Sequence, residues 1–164
     1  MLLGLCTDTH DNIGLARGAV DTFESVGVDA IVHCGDVVAP FTAAEFDVGI
    51  DFHAVYGNND GEPALADAVG EFGIHHGESA HLTFDGVDVA VYHGTSEQLV
   101  DALIDCGEYD YVVRGHTHER TYEERNGTVH VNPGGLPFPG VDDTYHVATL
   151  DTESGEVRFH AVDP

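Results

Sequence analysis

The sequence predicts an α/β protein in which two mixed β-sheets pack as a sandwich flanked by helices, the first sheet mostly parallel and the second mostly antiparallel. Three observations predict it. In the first half, short apolar runs alternate with segments of helical period, the pattern of strands joined by crossover helices. Farther on, Asp85-Gly86 and Asn126-Gly127 separate strand-like runs, which is the signal for tight hairpins. No repeat, linker or low-complexity run interrupts the 164 residues, a length that suits one domain over 1–164.

Taken in order, residues 2–7 read as a wholly buried first strand, followed by Asp8-Thr9-His10-Asp11-Asn12 at its carboxyl end. Ile13, Ala16, Val20 and Phe23 then recur at helical spacing over residues 12–26. A helix cap accounts for one of Asp11 and Asn12 but leaves Asp8 and His10 unexplained. A second strand over 29–34 ends in Gly35-Asp36, a short helix spans 40–45, and a third strand over 52–56 closes in Gly57-Asn58-Asn59-Asp60. Residues 61–70 suit a helix opened near Pro63.

The strands at 81–84 and 87–92 flank Asp85-Gly86, and the second ends in His93-Gly94. Residues 96–104 form an amphipathic helix with Leu99, Val100, Leu103 and Ile104 on its buried side. It leads to a β-branched and aromatic strand over 109–113, then to Arg114-Gly115-His116-Thr117-His118. A hairpin of 120–124 and 128–131 stops at Asn132-Pro133-Gly134-Gly135, and a closing hairpin of 145–150 and 157–162 completes the antiparallel half.

Composition narrows the setting. The chain holds 30 Asp and Glu against 5 cations, all arginine, for a formal net charge of −25. Such a charge repels itself in dilute buffer, whereas ~1 M salt shortens the Debye length to about 3 Å. The acids are spread from Asp8 to Asp163 rather than gathered in a tail, so a salt-rich cytoplasm is expected. No basic patch exists to neutralise phosphates, and nucleic acid enters only as a substrate. Cys6, Cys34 and Cys106 lack a Cys-x-x-Cys, which argues against a disulfide framework and a thiolate zinc site. No apolar run reaches membrane-spanning length and the N-terminus lacks a basic signal region, so no membrane partner is expected.

The strand ends together supply Asp8, His10, Asp36, Asn58, His93, His116 and His118. Seven donors suffice for two metal ions that share one carboxylate. Oxygen and imidazole donors without thiolate favour Mn²⁺, with Ni²⁺, Co²⁺, Fe or Zn²⁺ as alternatives. Two ions about 4 Å apart can activate a bridging water and clamp the oxygens of a phosphoryl group.

In order and spacing, Asp8-x-His10, Gly35-Asp36, Gly57-Asn58-x-Asp60, His93 and Gly115-His116-x-His118 resemble the calcineurin-like metallophosphoesterase superfamily. The short chain and Asn132-Pro133-Gly134-Gly135 resemble its small single-domain branch, the YfcE-type phosphodiesterases. The resemblance implies the metallophosphoesterase fold and hydrolysis of a phosphate diester. It implies that Asp8, His10 and His118 bind one ion and that Asn58, His93 and His116 bind the other. Asp36 would bridge them, together with the hydroxide that attacks phosphorus.

One position departs from the commoner family pattern. Where many members have histidine within Gly-Asn-His-Asp, this chain has Asn59, which can hydrogen-bond a phosphate oxygen but cannot act as a general acid. Asp60 is expected to orient its surroundings rather than transfer protons. Two other readings are a phosphomonoesterase or protein phosphatase, which Asn59 disfavours, and a non-catalytic scaffold like the retromer-type subunit, which has no reason to keep seven donors. A homo-oligomer could form through an exposed edge of the second sheet.

The remaining histidines, His33, His53, His75, His76, His81, His130, His146 and His160, read as surface groups or satisfied interior ones, with lining of the cleft entrance the lesser alternative for His75 and His76. Arg114 is expected in a salt bridge, with substrate phosphate as its alternative partner.

Overall fold

A computed structural model describes residues 1–137 and 140–162. The first sheet contains β1 (Leu2–Cys6), β2 (Ala30–His33), β3 (Asp51–Ala54), β4 (Ile74–His75), β10 (His146–Asp151) and β11 (Val157–Ala161), in the order β11-β10-β1-β2-β3-β4. The second contains β5 (Ser79–Phe84), β6 (Val87–Tyr92), β7 (Tyr111–Val113), β8 (Thr121–Arg125) and β9 (Thr128–Asn132), in the order β5-β6-β7-β9-β8.

Side-chain alternation on β1 explains the layering. Leu3 and Leu5 face the second sheet and share a core with Val32, Val89, Val113, Val131 and Leu150. Cys6, one residue out of phase, faces the opposite layer with Ile31, Phe52 and helix α1 (Ile13–Val26). Gly4 points the same way, and a Cβ there would lie 2.8 Å from the Phe23 ring. Phe23 is fully buried, and trimming it to alanine would cost roughly 3–5 kcal/mol. The helix starts where Asn12 Oδ1 accepts from Leu15 N at 3.1 Å and stops where Gly27 turns left-handed at φ 73°.

The shorter helices α2 (Pro40–Ala43) and α3 (Ala64–Val69) lie near the expected positions, with a 3₁₀ turn at Ala44–Phe46 continuing the first. On the outer face of the second sheet, α4 (Glu97–Asp105) packs Val100 and Ile104 on Ala90 and Val112. Among the described residues no helix is long and apolar enough to cross a membrane.

Four details differ from the sequence reading. The closing hairpin joins the first sheet: β10 runs antiparallel to β1, with Leu3 opposite Leu150 and Leu5 opposite Ala148. There Leu150 and Ala148 complete the layer between the sheets. The second sheet is less antiparallel than expected, because β7 pairs in parallel with both β6 and β9. Leu99 is 54% exposed, since α4 turns only its Val100 and Ile104 edge fully into the core. The two-residue strand β4, invisible to a periodicity argument, extends the parallel edge beside β3.

Candidate metal centre

Asp8 follows β1, Asp36 follows β2, Asn58 follows β3, His93 follows β6, and His116 and His118 follow β7. Parallel neighbours bring the loops side by side. Asp8 N donates to Gly35 O at 3.0 Å and His10 N donates to Asp36 O at 3.0 Å, so the first two loops are sewn together through their backbones. The cost is local strain. Asp8, His10, Asp36, His116 and His118 all have left-handed φ, between 45° and 70°, a conformation costing on the order of 1–3 kcal/mol each outside glycine.

Two glycines permit the closeness. A Cβ on Gly115 would collide with Thr7 Oγ1 and Asp8 Oδ2, and one on Gly57 would collide with the carboxylate and backbone N of Asp36.

The side chains converge. Asp8 Oδ1 lies 3.3 Å from His118 Nε2, 3.5 Å from His10 Nε2 and 3.9 Å from His93 Nε2. Asp36 Oδ2 lies 3.5 Å from His10 Nε2 and 3.3 Å from His93 Nε2. Asn58 Oδ1 lies 3.2 Å from His93 Nε2 and 2.9 Å from His116 Nδ1. All seven sequence-derived donors therefore meet in one place. Ligand atoms of Asp8, His10 and His118 form one group within mutual reach, and those of Asp8, Asp36 and His93 form another.

Neighbouring groups aim these donors. His93 Nδ1 pairs with Cys34 O at 2.8 Å and His118 Nδ1 with Leu136 O at 2.7 Å, which leaves each Nε2 lone pair directed inward when the ring is neutral. Asp8 Oδ2 accepts from Thr7 Oγ1 at 2.8 Å and from His116 N at 2.9 Å. Its other oxygen, Oδ1, is buried with no hydrogen-bond partner. An orphaned carboxylate oxygen facing three imidazole nitrogens is a site for a cation.

Electrostatics agree. Burial pushes the Asp8 carboxyl up, but the His10 and His118 imidazoles beside it outweigh burial and hold it well below the usual range. Burial likewise raises Asp36, and His93 with Asn59 more than offsets it. Asp8 in turn raises His118, and against its own burial His93 is raised by Asp36 and Asp8. Positive charge is thus favoured beside Asp8 and Asp36, whereas burial and the neighbouring His93 lower His116.

Asp60 accepts from the backbone N–H groups of Asp36 at 2.8 Å, Val38 at 2.7 Å and Gly57 at 2.7 Å, so it orients the loops of Asp36 and Asn58. Asn59 donates to Asp36 twice, from its backbone N to Oδ1 at 2.8 Å and from Nδ2 to Oδ2 at 2.7 Å. Asn132, unassigned by the sequence reading, donates from Nδ2 to Gly115 O at 3.0 Å and to Thr117 Oγ1 at 2.9 Å. The only signal for it was its place in Asn-Pro-Gly-Gly. Arg114 makes the expected salt bridge, to Glu97 at 2.7 Å.

Outside the site, His33 is a satisfied interior group between Thr9 and Gly35 N. His75 lies against the Tyr56 ring at a tilt of 48° and His76 bonds His53. His75 Nε2 and His130 Nε2, contrary to expectation, are buried without partners.

Three of the donors, His10, His116 and His118, line a cavity of about 420 Å³ with Thr117, Leu136 and Val141, within the size range of small-molecule sites. Residues 1–155 match the calcineurin-like phosphoesterase superfamily domain.

The chain belongs to this superfamily. It is 34% identical to Phosphodiesterase MJ0936 of Methanocaldococcus jannaschii over 96% of its own length and 97% of the relative's. A solved archaeal phosphodiesterase superposes with a TM-score of 0.91 at 32% identity, over 99% of this chain and 100% of that one. YfcE, a phosphoesterase from E. coli, has a TM-score of 0.74 at 19% identity, covering 99% and 100% of the two chains, and shares the fold. This calcineurin-like phosphoesterase is a hydrolase of phosphoester bonds, and its superfamily works with divalent metal ions. The orphaned Asp8 Oδ1 and the oxygen and imidazole donors around it fit such ions.

Proposed function

We propose that this chain is a phosphodiesterase with two divalent transition-metal ions. Asp8, His10 and His118 hold one ion, Asn58, His93 and His116 hold the other, and Asp36 is shared. The observation that carries this reading is the position of Asp36 Oδ2, 3.5 Å from His10 Nε2 of one set and 3.3 Å from His93 Nε2 of the other. Manganese suits the hard oxygen and imidazole donors. When bound, the ions activate water and neutralise charge on the phosphoryl oxygens.

The chain's own residues supply orientation. Asp60 fixes the loops of Asp36 and Asn58, while Thr7 and His116 N hold Asp8 by one oxygen and leave the other facing inward. Asn59, whose amide donates to Asp36, would on this reading turn to hydrogen-bond a phosphate oxygen and cannot protonate a leaving group, which favours diesters with good leaving groups. The relative named as a phosphodiesterase supports the same substrate class. A scaffold role is disfavoured because every donor is retained.

The chain acts as one domain in a salt-rich cytoplasm, as its −25 charge suggests. The edge strand β8, with Tyr122 54% exposed, is a surface on which a second copy could pair. Metal analysis of protein purified in molar salt, followed by a screen of phosphate mono- and diesters, tests the reading. Two ions per chain and preferential diester cleavage are expected; monoester preference would overturn the substrate class.

A further inference from the structure

Among the described residues, Arg114 is the one buried arginine: its side chain is 3% exposed, while Arg17, Arg120, Arg125 and Arg158 range from 33% to 66%. Burying a guanidinium costs several kcal/mol unless its charge and N–H groups are matched. Three contacts match it here. Nη1 bonds Glu97 Oε2 at 2.7 Å, Nη2 donates to Gly94 O at 2.9 Å, and Nε donates to Gly115 O at 3.3 Å.

Gly94 follows His93 and Gly115 precedes His116, so the two carbonyls belong to the two loops that carry imidazoles of the second donor set. Gly94, at φ 99°, also makes room for the guanidinium: a Cβ there would lie 2.5 Å from Arg114 Nε. The same loops meet directly through Gly115 N and His93 O at 2.9 Å. His118, of the first set, is instead tied through Nδ1 to Leu136 O.

We propose that Arg114 is a positioning residue: its guanidinium holds the His93 and His116 loops at one separation and thereby sets the affinity of the ion bound by Asn58, His93 and His116. This rests on the two-ion reading above. Lysine cannot replace it, because a single ammonium lacks the planar fork that reaches Glu97 and both carbonyls together. Glu97, at the first turn of α4, supplies the counter-charge from outside the site.

The test is a Mn²⁺ titration of the purified full chain, read by equilibrium dialysis with elemental analysis, with visible spectra of the Co²⁺-loaded chain as a probe of ligand geometry. His116→Ala identifies which binding step belongs to the second set. Arg114→Lys and Arg114→Gln should weaken that step by about 10- to 100-fold, alter the cobalt spectrum, and weaken the other step by a clearly smaller factor, because His116 N also holds Asp8. Glu97→Gln, at an exposed partner, should shift the same step by a smaller factor. Equal weakening of both steps, or no change in either, would overturn the proposal. Should the Arg114 variants fail to fold, Glu97→Gln decides, and an unchanged second step overturns it. A wild-type chain that binds only one ion overturns the two-ion reading itself.

Discussion

His10 Nε2 and His118 Nε2 face one another at 3.3 Å, with their rings stacked at a centroid separation of 5.1 Å. Two neutral imidazoles presenting lone pairs at that distance repel unless a proton or a cation lies between them, and the buried Asp8 Oδ1 faces the same point. A proton carried on one of the two nitrogens meets that need by a hydrogen bond, and a cation held between them and Asp8 meets it as well.

Metal should therefore stabilise the fold. Free Mn²⁺ at 100 times its dissociation constant is expected to add about 2.7 kcal/mol per occupied site over the chelated protein, because only the folded chain gathers the donors. Calorimetry of chelated and reloaded protein checks this, and a melting temperature indifferent to metal would contradict it.

On the proposed assignment, Asp36 and a single-site imidazole should not lose metal alike. Asp36→Ala is expected to release both ions and abolish activity, whereas His10→Ala mainly weakens one. Elemental analysis after gel filtration gives the stoichiometries; equal, mild losses in both variants would refute the shared role.

His33 makes stability pH-dependent. Burial pushes its imidazole down to about 3, against an ordinary value near 6.5 when unfolded. The unfolded chain binds the extra proton between those values, so the His33 contribution is complete above about pH 6.5 and is lost as pH falls. Between pH 6.5 and 5 the loss is about 2 kcal/mol. His33→Asn keeps an acceptor for Gly35 N but does not titrate, so its stability should fall less over that interval in denaturant melts of chelated protein. Parallel pH profiles would show that His33 is not the group responsible.

Restoring histidine at position 59 tests the leaving-group argument. General-acid help is worth about 10² to 10⁴-fold for a poor leaving group and little for a good one. Asn59→His should raise cleavage of alkyl esters relative to p-nitrophenyl diesters, with metal content checked because Asn59 also bonds Asp36. A common factor for both substrates would place residue 59 away from the leaving oxygen.

The charge of −25 predicts salt dependence. Diluting from ~1 M salt to ~0.1 M lengthens the Debye length from about 3 to about 10 Å, so the unfolding midpoint should fall. A constant midpoint across that range would mean the acids are spaced widely enough to be tolerated without screening.

The seven donors were legible because each sits where an apolar strand meets a turn, and in parallel neighbours such ends fall on one side of a sheet. Asp85-Gly86 and Asn126-Gly127 marked their hairpins for an equally local reason, since left-handed φ at Asp85 and Asn126, 52° and 57°, is what those turns require. Strand period, turn chemistry and donor type are properties of neighbouring residues, and the chain by itself determined them.

Partner choice was decided only in the assembled molecule. The hairpin of β10 and β11 could be recognised in isolation, but its sheet depended on β1 having an open edge and on Leu150 and Ala148 completing the layer beside Leu3 and Leu5. Leu99 fits the apolar pattern of its helix yet remains exposed, because the neighbouring sheet covers only the Val100 and Ile104 edge. Arg114 could have faced either side of its strand; its side was settled by Gly94 O and Glu97, from the segment that follows β6, together with the carbonyl of its own neighbour Gly115. Such choices depend on which faces and acceptors remain uncovered once the other elements have packed, and no local stretch of sequence carries that information.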